Sequence, residues 1–422
     1  MNLILDSTLK LERIMKRLIF DVNILTPLFM SGHNQNHAEV RAPSVKGLLR
    51  WWFRALGGDW NWESWLFGSQ EQGSPVIFRI IDKNIFLHRP YTQRFSNRQA
   101  YLGYGPIGFD KRDEVFKNSR ASLTGSFSLE VVIFSNVDDK DLRALLLSLW
   151  SLSVFGGMGS RSRRGWGSVS IKPSDENAKS FAHELGLDWE FHSLENLRKN
   201  IHKLEEKRRV IFGELPKNLP EYTRFSHLSR FCIGGEFDLW KDAMDDIGGR
   251  FIRFRKRRYY DDVKRFMEDV ERGKVRPFYS PASKYNAPYG TAVPKAIFGL
   301  PNNYFSRSRK EAKRKPHIVN VMGERQINGR EEIISRRASP LLISINKIGD
   351  KYTWLLTYLP AQFLPPDSQL LLTVPGKQIP ESWTSNRPPR ANTGVPNYNL
   401  IDKFLSFNCR NPISLNREMN HE

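Results

Sequence analysis

The sequence has few cysteines and no long apolar run, and each absence excludes a class of protein. Only Cys232 and Cys409 occur among the 422 residues, far apart and outside any CxxC pair. This excludes a disulfide scaffold, argues against a structural zinc site and predicts a reducing, cytoplasmic environment. No apolar run approaches the roughly 18 residues of a membrane-spanning helix, so we expect no span.

The amino-terminal segment also lacks the uninterrupted apolar stretch of a signal peptide. Asp6, Lys10 and Glu12 fall where such a stretch would lie. We therefore expect no export, and Met15 is a second candidate for the natural start, beside Met1.

Acidic residues are in the minority. The chain has 65 Lys and Arg against 45 Asp and Glu, which gives a net charge of +20 and a pI near 9.9. This balance predicts a polyanionic partner, with nucleic acid first and an anionic membrane surface second. The length predicts two domains, or three, each with its own core.

Residues 41–56, RAPSVKGLLRWWFRAL, combine two tryptophans with several basic side chains. Pro43 is suited to the first turn of a helix. In a helix the apolar residues form one stripe, which consists of Val45, Leu48, Leu49, Trp52 and Leu56. Lys46, Arg50 and Arg54 recur every four residues on another side, about 6 Å apart, with Trp51 beside them. This basic ridge predicts an outward-facing contact.

The first 172 residues alternate strands and helices in the order β-α-β-β-α-β. The predicted strands are 17–26, 75–81, 126–134 and 166–172, and the predicted helices are 43–56 and 138–155. This order is typical of a ferredoxin-like domain. The long segment between the second and third strands, 91–120, shows no clear periodicity and predicts a functional or mobile insertion.

Beyond residue 172 the pattern changes to polar helices, predicted at 176–186 and 195–212, and we place a domain boundary at 173. The stretch 338–359 predicts a hairpin that turns at Gly349 and Asp350. Two segments, 250–260 and 306–315, are strongly basic. The fold class is therefore α+β, with an N-terminal ferredoxin-like domain over 1–172 and a second, decorated one over 173–422.

A glycine-rich stretch, FGGMGSRSRRGWGSVSI, follows the second helix of the first domain. Three glycines precede Arg161, Arg163 and Arg164 and two follow them, so backbone N–H groups can approach phosphates while the arginines neutralise them. No GK[ST] follows, which excludes a Walker P-loop. The loop over 155–167 favours binding to a nucleic-acid backbone.

These motifs together resemble a known family. The order LTPLFMSG, then RAPSVKGLLRWWFRAL, then GGMGSRSRRGWGSV resembles the RAMP superfamily of CRISPR-associated RNA-binding proteins. The doubled tryptophan with PSVKG, FGLP at 298–301 and RRASPLLI at 336–343 are similar to the first Cmr subunit of type III-B effectors. The resemblance spans nearly the whole chain, although the basic segments 250–260 and 306–315 match no motif of the family.

The resemblance implies two tandem ferredoxin-like (RRM-like) domains and a non-catalytic subunit at one end of the Cmr ribonucleoprotein. It implies contacts with the 3′ region of the crRNA, with target single-stranded RNA, with a neighbouring RAMP subunit and with the repeated backbone subunit. From the residues themselves we expect no cofactor, no metal site and no membrane partner. The RNA-binding positions are Arg41, Ser44, Lys46, Arg50, Trp51, Arg54, Gly157, Gly159, Ser160, Arg161, Arg163, Arg164 and Trp166.

The residues themselves leave two alternatives to a non-catalytic RNA-binding subunit. A metal-independent ribonuclease needs a general base, and His33 or His37 lies near the basic helix, with Lys46 or Arg41 as the cation. The second alternative is a mainly structural capping subunit whose basic surfaces meet acidic protein partners. Separately, Arg50 and Arg54 can form salt bridges to acidic neighbours instead of phosphate contacts. The adjacent aspartate pairs at 138–139, 245–246 and 261–262 fit helix capping or a solvated face better than a metal site.

Overall fold

A computed structural model describes residues 15–256, 266–268, 270, 272, 294–300, 302–305, 318–374, 390–393, 398–409 and 412–415. The chain divides into two compact units. The first comprises Met1–Ile252, Leu342–Pro360 and Cys409–Glu422, and the second comprises Arg253–Leu341 and Ala361–Asn408. Among the described residues, no helix combines the length and apolar character needed to cross a membrane.

The first half of the chain builds one four-stranded sheet with a small sheet inserted. Its elements are β1 Met15–Leu28, α1 Ala42–Leu56, α2 Trp60–Phe67, β2 Val76–His88, β3 Arg94–Phe95, α3 Asn97–Leu102, β4 Ile107–Asp110, β5 Val115–Asn118, β6 Ser122–Phe134, α4 Asp139–Phe155, β7 Val169–Pro173, α5 Glu176–Leu185 and α6 Leu194–Phe212. The main sheet has the order β2-β6-β1-β7, with every pairing antiparallel. This is the ferredoxin-like order, and it confirms the predicted topology.

Period-two alternation explains which face of this sheet is buried. Leu18, Phe20 and Val22 on β1 are fully buried, and Phe20 pairs with Leu129 of β6. The apolar sides of α1 and α4 pack into the same buried cluster. Asp138 caps α4 in a capping box, as the acidic start of that helix predicted.

A second sheet in the first unit uses residues that are distant in sequence. The remaining elements are β8 Arg230–Ile233, α7 Trp240–Lys256, a 3-10 helix Pro294–Phe298, β9 Asn302–Phe305, β10 Ile318–Ile327, β11 Arg330–Ile334, β12 Leu341–Ile348, β13 Lys351–Tyr358, β14 Ser368–Thr373, β15 Arg390–Thr393, α8 Asn399–Asn408 and β16 Ile413–Ser414. The sheet order is β12-β13-β8-β16. In chain order β8, α7, β12, β13, α8 and β16 repeat the first pattern, so the tandem ferredoxin-like class is confirmed.

The second unit contains a sheet that the sequence did not reveal. Its order is β11-β10-β14-β15, and β9 pairs with β10. These strands lie in the chain between α7 and β12 and between β13 and α8. The hairpin β10-β11 turns at Asn328 and Gly329, both with positive φ, as tight two-residue hairpins require.

Several local predictions can be compared with the structure. The hairpin turning at Gly349 and Asp350 is confirmed by β12 and β13. Residues 91–120 are not structureless, because β3, β5 and β4 form a small sheet there. The basic segment 250–260 continues α7 as far as Lys256; its remainder, like 306–315, lies outside the described residues. The boundary at 173, which is the last residue of β7, stays a prediction.

Candidate nucleic-acid interface

Helix α1 forms as the sequence predicts, with its basic ridge half-buried. Pro43 lies in the first turn, and the buried set is Val45, Leu49, Trp52, Phe53, Ala55 and Leu56. Lys46 lies on the opposite side, where desolvation lowers the pKa of its ammonium group and the charge of Arg50 lowers it further. A half-desolvated cation of this kind gains from an incoming anion.

A buried carboxylate holds the other two cations of the ridge. Arg50 Nε and Arg54 Nη1 donate to the two oxygens of Glu63, whose side chain is fully buried on α2. Arg50 also donates to the carbonyl of Gly68 at 3.1 Å. The Arg54 guanidinium lies 4.8 Å from the ring centroid of Trp60. One negative charge thus compensates half of the positive charge on this part of the ridge.

The glycine-rich loop is joined to α1 through an aromatic contact. The Arg163 guanidinium lies 4.7 Å from the ring centroid of Trp51. Trp51 in turn packs edge-on against Trp52, with 4.7 Å between centroids. The structure therefore brings the two predicted motifs together through the contact between Trp51 of α1 and Arg163 of the loop.

The loop backbone is already engaged, which changes the expected way of binding an anion. The N–H groups of Met158, Ser160, Arg164, Gly165 and Gly167 all donate to backbone carbonyls. A Cβ on Gly159, at φ +76°, would lie 2.6 Å from the carbonyl oxygen of Phe29, so packing requires glycine there. These N–H groups therefore do not contribute to the predicted anion site, and the arginine side chains of the loop supply its positive charge.

The predicted loop side chains separate into buried and exposed ones. Trp166 was expected to contact RNA, but it is fully buried, with its ring 5.2 Å from Phe95 and 6.1 Å from Trp240. It is a core residue, because an apolar ring of this size gains more from burial than from exposure. Arg164 stacks on Phe251 at 4.8 Å. Gly157 is buried as well.

The exposed part of the loop centres on Arg161. This residue adopts the left-handed conformation at φ +62°, which is uncommon for a side chain of its kind. Its Nε donates to the carbonyl oxygen of Tyr104 at 2.6 Å. Ser160 is half-buried, and its N–H donates to Phe29. The loop therefore also reaches the insertion between β2 and β6.

The remaining candidates lie before or at the start of α1. Arg41 is exposed and lies 3.5 Å from Glu39, while Ser44 is half-buried in the first turn. His33 and His37 are both exposed in the loop between β1 and α1. Over the described ranges, no group of three or more His, Cys, Asp and Glu side chains is placed to hold a metal ion.

The aspartate pairs have structural partners. Asp138 caps α4, and Asp245 accepts a hydrogen bond from Ser96. Asp246 accepts from Trp354 Nε1 at 2.8 Å and from Arg250 Nε at 2.8 Å. Asp138 agrees with the expected helix capping, whereas Asp245 and Asp246 are half-buried and hydrogen-bonded instead of lying on a solvated face. The pair 261–262 lies outside the described residues.

Sequence reasoning missed two features of this surface. Glu63 lies seven residues after the end of α1, and nothing in the local sequence pattern indicated that it pairs with the arginines. The insertion carries an exposed aromatic residue, Tyr104, whose carbonyl contacts Arg161. The clustering of Gly, Tyr and Arg in that segment was the one sequence signal that pointed to it.

The fold and the loop together define a protein of the RAMP type: a ferredoxin-like domain with a glycine-rich loop between its second helix and its last strand. The sequence model of the RAMP superfamily matches residues 21–170. A relative from Pyrococcus furiosus, the CRISPR system Cmr subunit Cmr1-2, is 30% identical over 184 residues, which are 36% of this chain and 94% of that protein. The Cmr1-1 subunit of the same organism is 26% identical over 258 residues, 57% of this chain and 72% of that protein. The chain belongs to the Cmr1 family within the RAMP superfamily.

Solved structures give weaker similarities. The crystal structure of Cmr1 from Pyrococcus furiosus in its apo form is 20% identical, covers 83% of this chain and 90% of that chain, and has a TM-score of 0.47. The cryo-EM structure of the Type III-B Cmr-beta bound to cognate target RNA contains a chain that is 14% identical. The match covers 82% of this chain and 94% of that one, with a TM-score of 0.44.

Proposed function

We propose that this chain is a non-catalytic, RNA-binding subunit of a type III-B Cmr effector complex. It contacts the 3′ region of the crRNA, the target RNA or both, at one end of a cytoplasmic assembly. Its protein partners are other Cmr subunits, including a neighbouring RAMP subunit and the repeated backbone subunit. The relatives named as Cmr subunits support this proposal, as does the net charge of +20.

One observation supports the proposal that this chain binds RNA. Arg163 stacks on Trp51 at 4.7 Å, so the basic loop and the basic helix form one continuous surface. Glu63 already neutralises part of the helix charge at Arg50 and Arg54. We assign Arg161 and Arg163 on this surface as phosphate contacts, and the surface reads the RNA backbone rather than its sequence.

The salt dependence of binding tests this assignment. Each phosphate neutralised on a single strand contributes roughly 0.7 to the log–log slope of affinity against salt. We expect the double variant Arg161→Ala, Arg163→Ala to reduce the slope by about 1 to 1.4 for labelled single-stranded RNA. Arg79→Ala, an exposed arginine on β2, is the matched control and leaves the slope unchanged. An unchanged slope in the double variant would place the RNA elsewhere.

The same gels test the metal-independent ribonuclease alternative. Labelled RNA stays intact in EDTA with the wild-type chain. If cleavage occurs and His33→Ala abolishes it, the protein is a metal-independent ribonuclease instead. If the chain binds no RNA in isolation or within the assembled complex, it is a structural capping subunit.

A further inference from the structure

An exposed aromatic side chain lies beside the glycine-rich loop, on the turn between α3 and β4. The Tyr104 ring is 75% exposed, the largest exposed fraction among the described aromatic side chains. It lies in the sequence GYGPIG, 103–108, with a glycine on each side. Burial therefore does not explain why an aromatic residue occupies this position.

The turn that carries this ring is firmly held. Four consecutive carbonyls accept hydrogen bonds: Gly103 from the N–H of Ile107 at 3.0 Å, Tyr104 from Arg161 Nε at 2.6 Å, Gly105 from Ser119 Oγ at 2.8 Å and Pro106 from the Ser119 N–H at 2.8 Å. Gly105 has φ +108°, which favours glycine. A fixed backbone under an exposed ring means that a ligand stacking on it orders few additional torsions.

The surroundings of the ring are cationic. Arg161 contacts the turn directly through Tyr104. Ser119, which donates to the Gly105 and Pro106 carbonyls of the turn, is followed directly by Arg120, so a second cation lies next to a residue that contacts the turn. An apolar protein partner would have to desolvate these guanidinium groups, whereas a nucleotide offers a phosphate for them.

We propose that Tyr104 is a stacking platform for one base of single-stranded RNA, with Arg161 and Arg120 binding an adjacent phosphate. An aromatic face accepts any base, so this contact adds affinity without sequence preference. The proposal rests on the RNA-binding function above and adds a base contact to a surface that otherwise reads the backbone. It also gives the insertion 91–120 a role in binding.

The test compares full-length variants on two labelled ligands, a short oligouridine and an abasic oligomer of the same length. Base–aromatic stacking is worth about 1 to 3 kcal/mol, so Tyr104→Ala should weaken oligouridine binding by about 5-fold or more. The abasic oligomer should bind both proteins equally. Tyr104→Phe keeps the ring and should bind like the wild type. Phe407→Ala, which removes an aromatic side chain that is 54% exposed on α8, is the control.

Each outcome decides the proposal. If Tyr104→Ala weakens the binding of both ligands equally, the substitution disturbs the turn instead of removing a stacking contact, and the proposal is overturned. Unchanged oligouridine binding in Tyr104→Ala, with the wild type binding well, would overturn the platform and leave the RNA-binding function standing. A wild-type chain that binds neither ligand, both in isolation and within the assembled complex, would overturn both.

Discussion

Glu63 offers the sharpest test of how the basic helix is organised. Its carboxylate is fully buried and receives hydrogen bonds from both Arg50 and Arg54. Glu63→Gln keeps the shape of the side chain and removes the charge. One amide oxygen can still accept from one arginine, but the second donor then faces an amide nitrogen.

The expected loss of stability in Glu63→Gln follows from how exposed Glu63, Arg50 and Arg54 are. Breaking a buried ion pair costs about 3 to 5 kcal/mol. The two arginines here are 33% and 23% exposed, so water can solvate part of their charge. We therefore expect Glu63→Gln to lower the free energy of unfolding by about 2 to 3 kcal/mol. Denaturant titration followed by tryptophan fluorescence measures this, since Trp60 and Trp62 lie on the same helix.

The same substitution should change RNA binding in the opposite direction. With Glu63 neutral, the charge on Arg50 and Arg54 is no longer compensated, and the log–log salt slope should steepen by roughly 0.7. A variant that is both less stable and more salt-sensitive in RNA binding would establish that Glu63 limits the charge of the ridge.

Glu130 supplies a matched control. It is also buried and lies within ion-pair distance of two arginines, Arg17 and Arg79, but these are 58% and 59% exposed. Solvent screens such pairs, so Glu130→Gln should cost less than about 1 kcal/mol and leave the RNA slope unchanged. Equal losses for the two variants, or no loss of stability in Glu63→Gln, would refute this account of the buried bridge.

Two further predictions concern stability. Gly159→Ala should destabilise the protein by more than about 2 kcal/mol, because φ is +76° and the added Cβ would meet the Phe29 carbonyl. Gly47→Ala on α1 is the comparison: its Cβ would enter open space, so this change should be neutral or stabilising by up to about 1 kcal/mol. Thermal unfolding of the two variants and the wild type measures the difference. Burial lowers the pKa of Lys295 to about 8, below that of an unfolded lysine, so the unfolded state binds more protons between pH 8 and 10.5 and stability rises with pH there. Lys295→Met should remove this rise, and it should stabilise the protein at pH 7; denaturant titrations at pH 7 and pH 9 that give the same difference between variant and wild type would contradict the assignment.

The local elements of the first domain were predictable because each has a strong short-range pattern. The alternation in β1 places Leu18, Phe20 and Val22 on one face whatever its partners are. The periodicity of α1 likewise separates a buried stripe from a basic ridge. The second sheet was harder, since β8 and β16 are only four and two residues long and are separated by the strands of the second unit.

The candidate interface was predictable in its motifs but not in its details. The sequence indicated a basic helix and a glycine-rich loop, and the structure joins them through Arg163 and Trp51. The sequence did not indicate that Trp166 is buried in the core, because a tryptophan between glycines is compatible with burial and with exposure for stacking equally well.

The sequence by itself determined the sign of the surface charge, the ferredoxin-like order of the first domain and the positions of the two basic motifs, since all three depend on composition or on neighbours within a few residues. Only the tertiary structure decided which cations are available. Glu63 reaches Arg50 and Arg54 from a separate helix, and the Tyr104 turn meets Arg161 across 57 residues of chain. Such pairings depend on where distant segments pack, and no local pattern in the sequence encodes them.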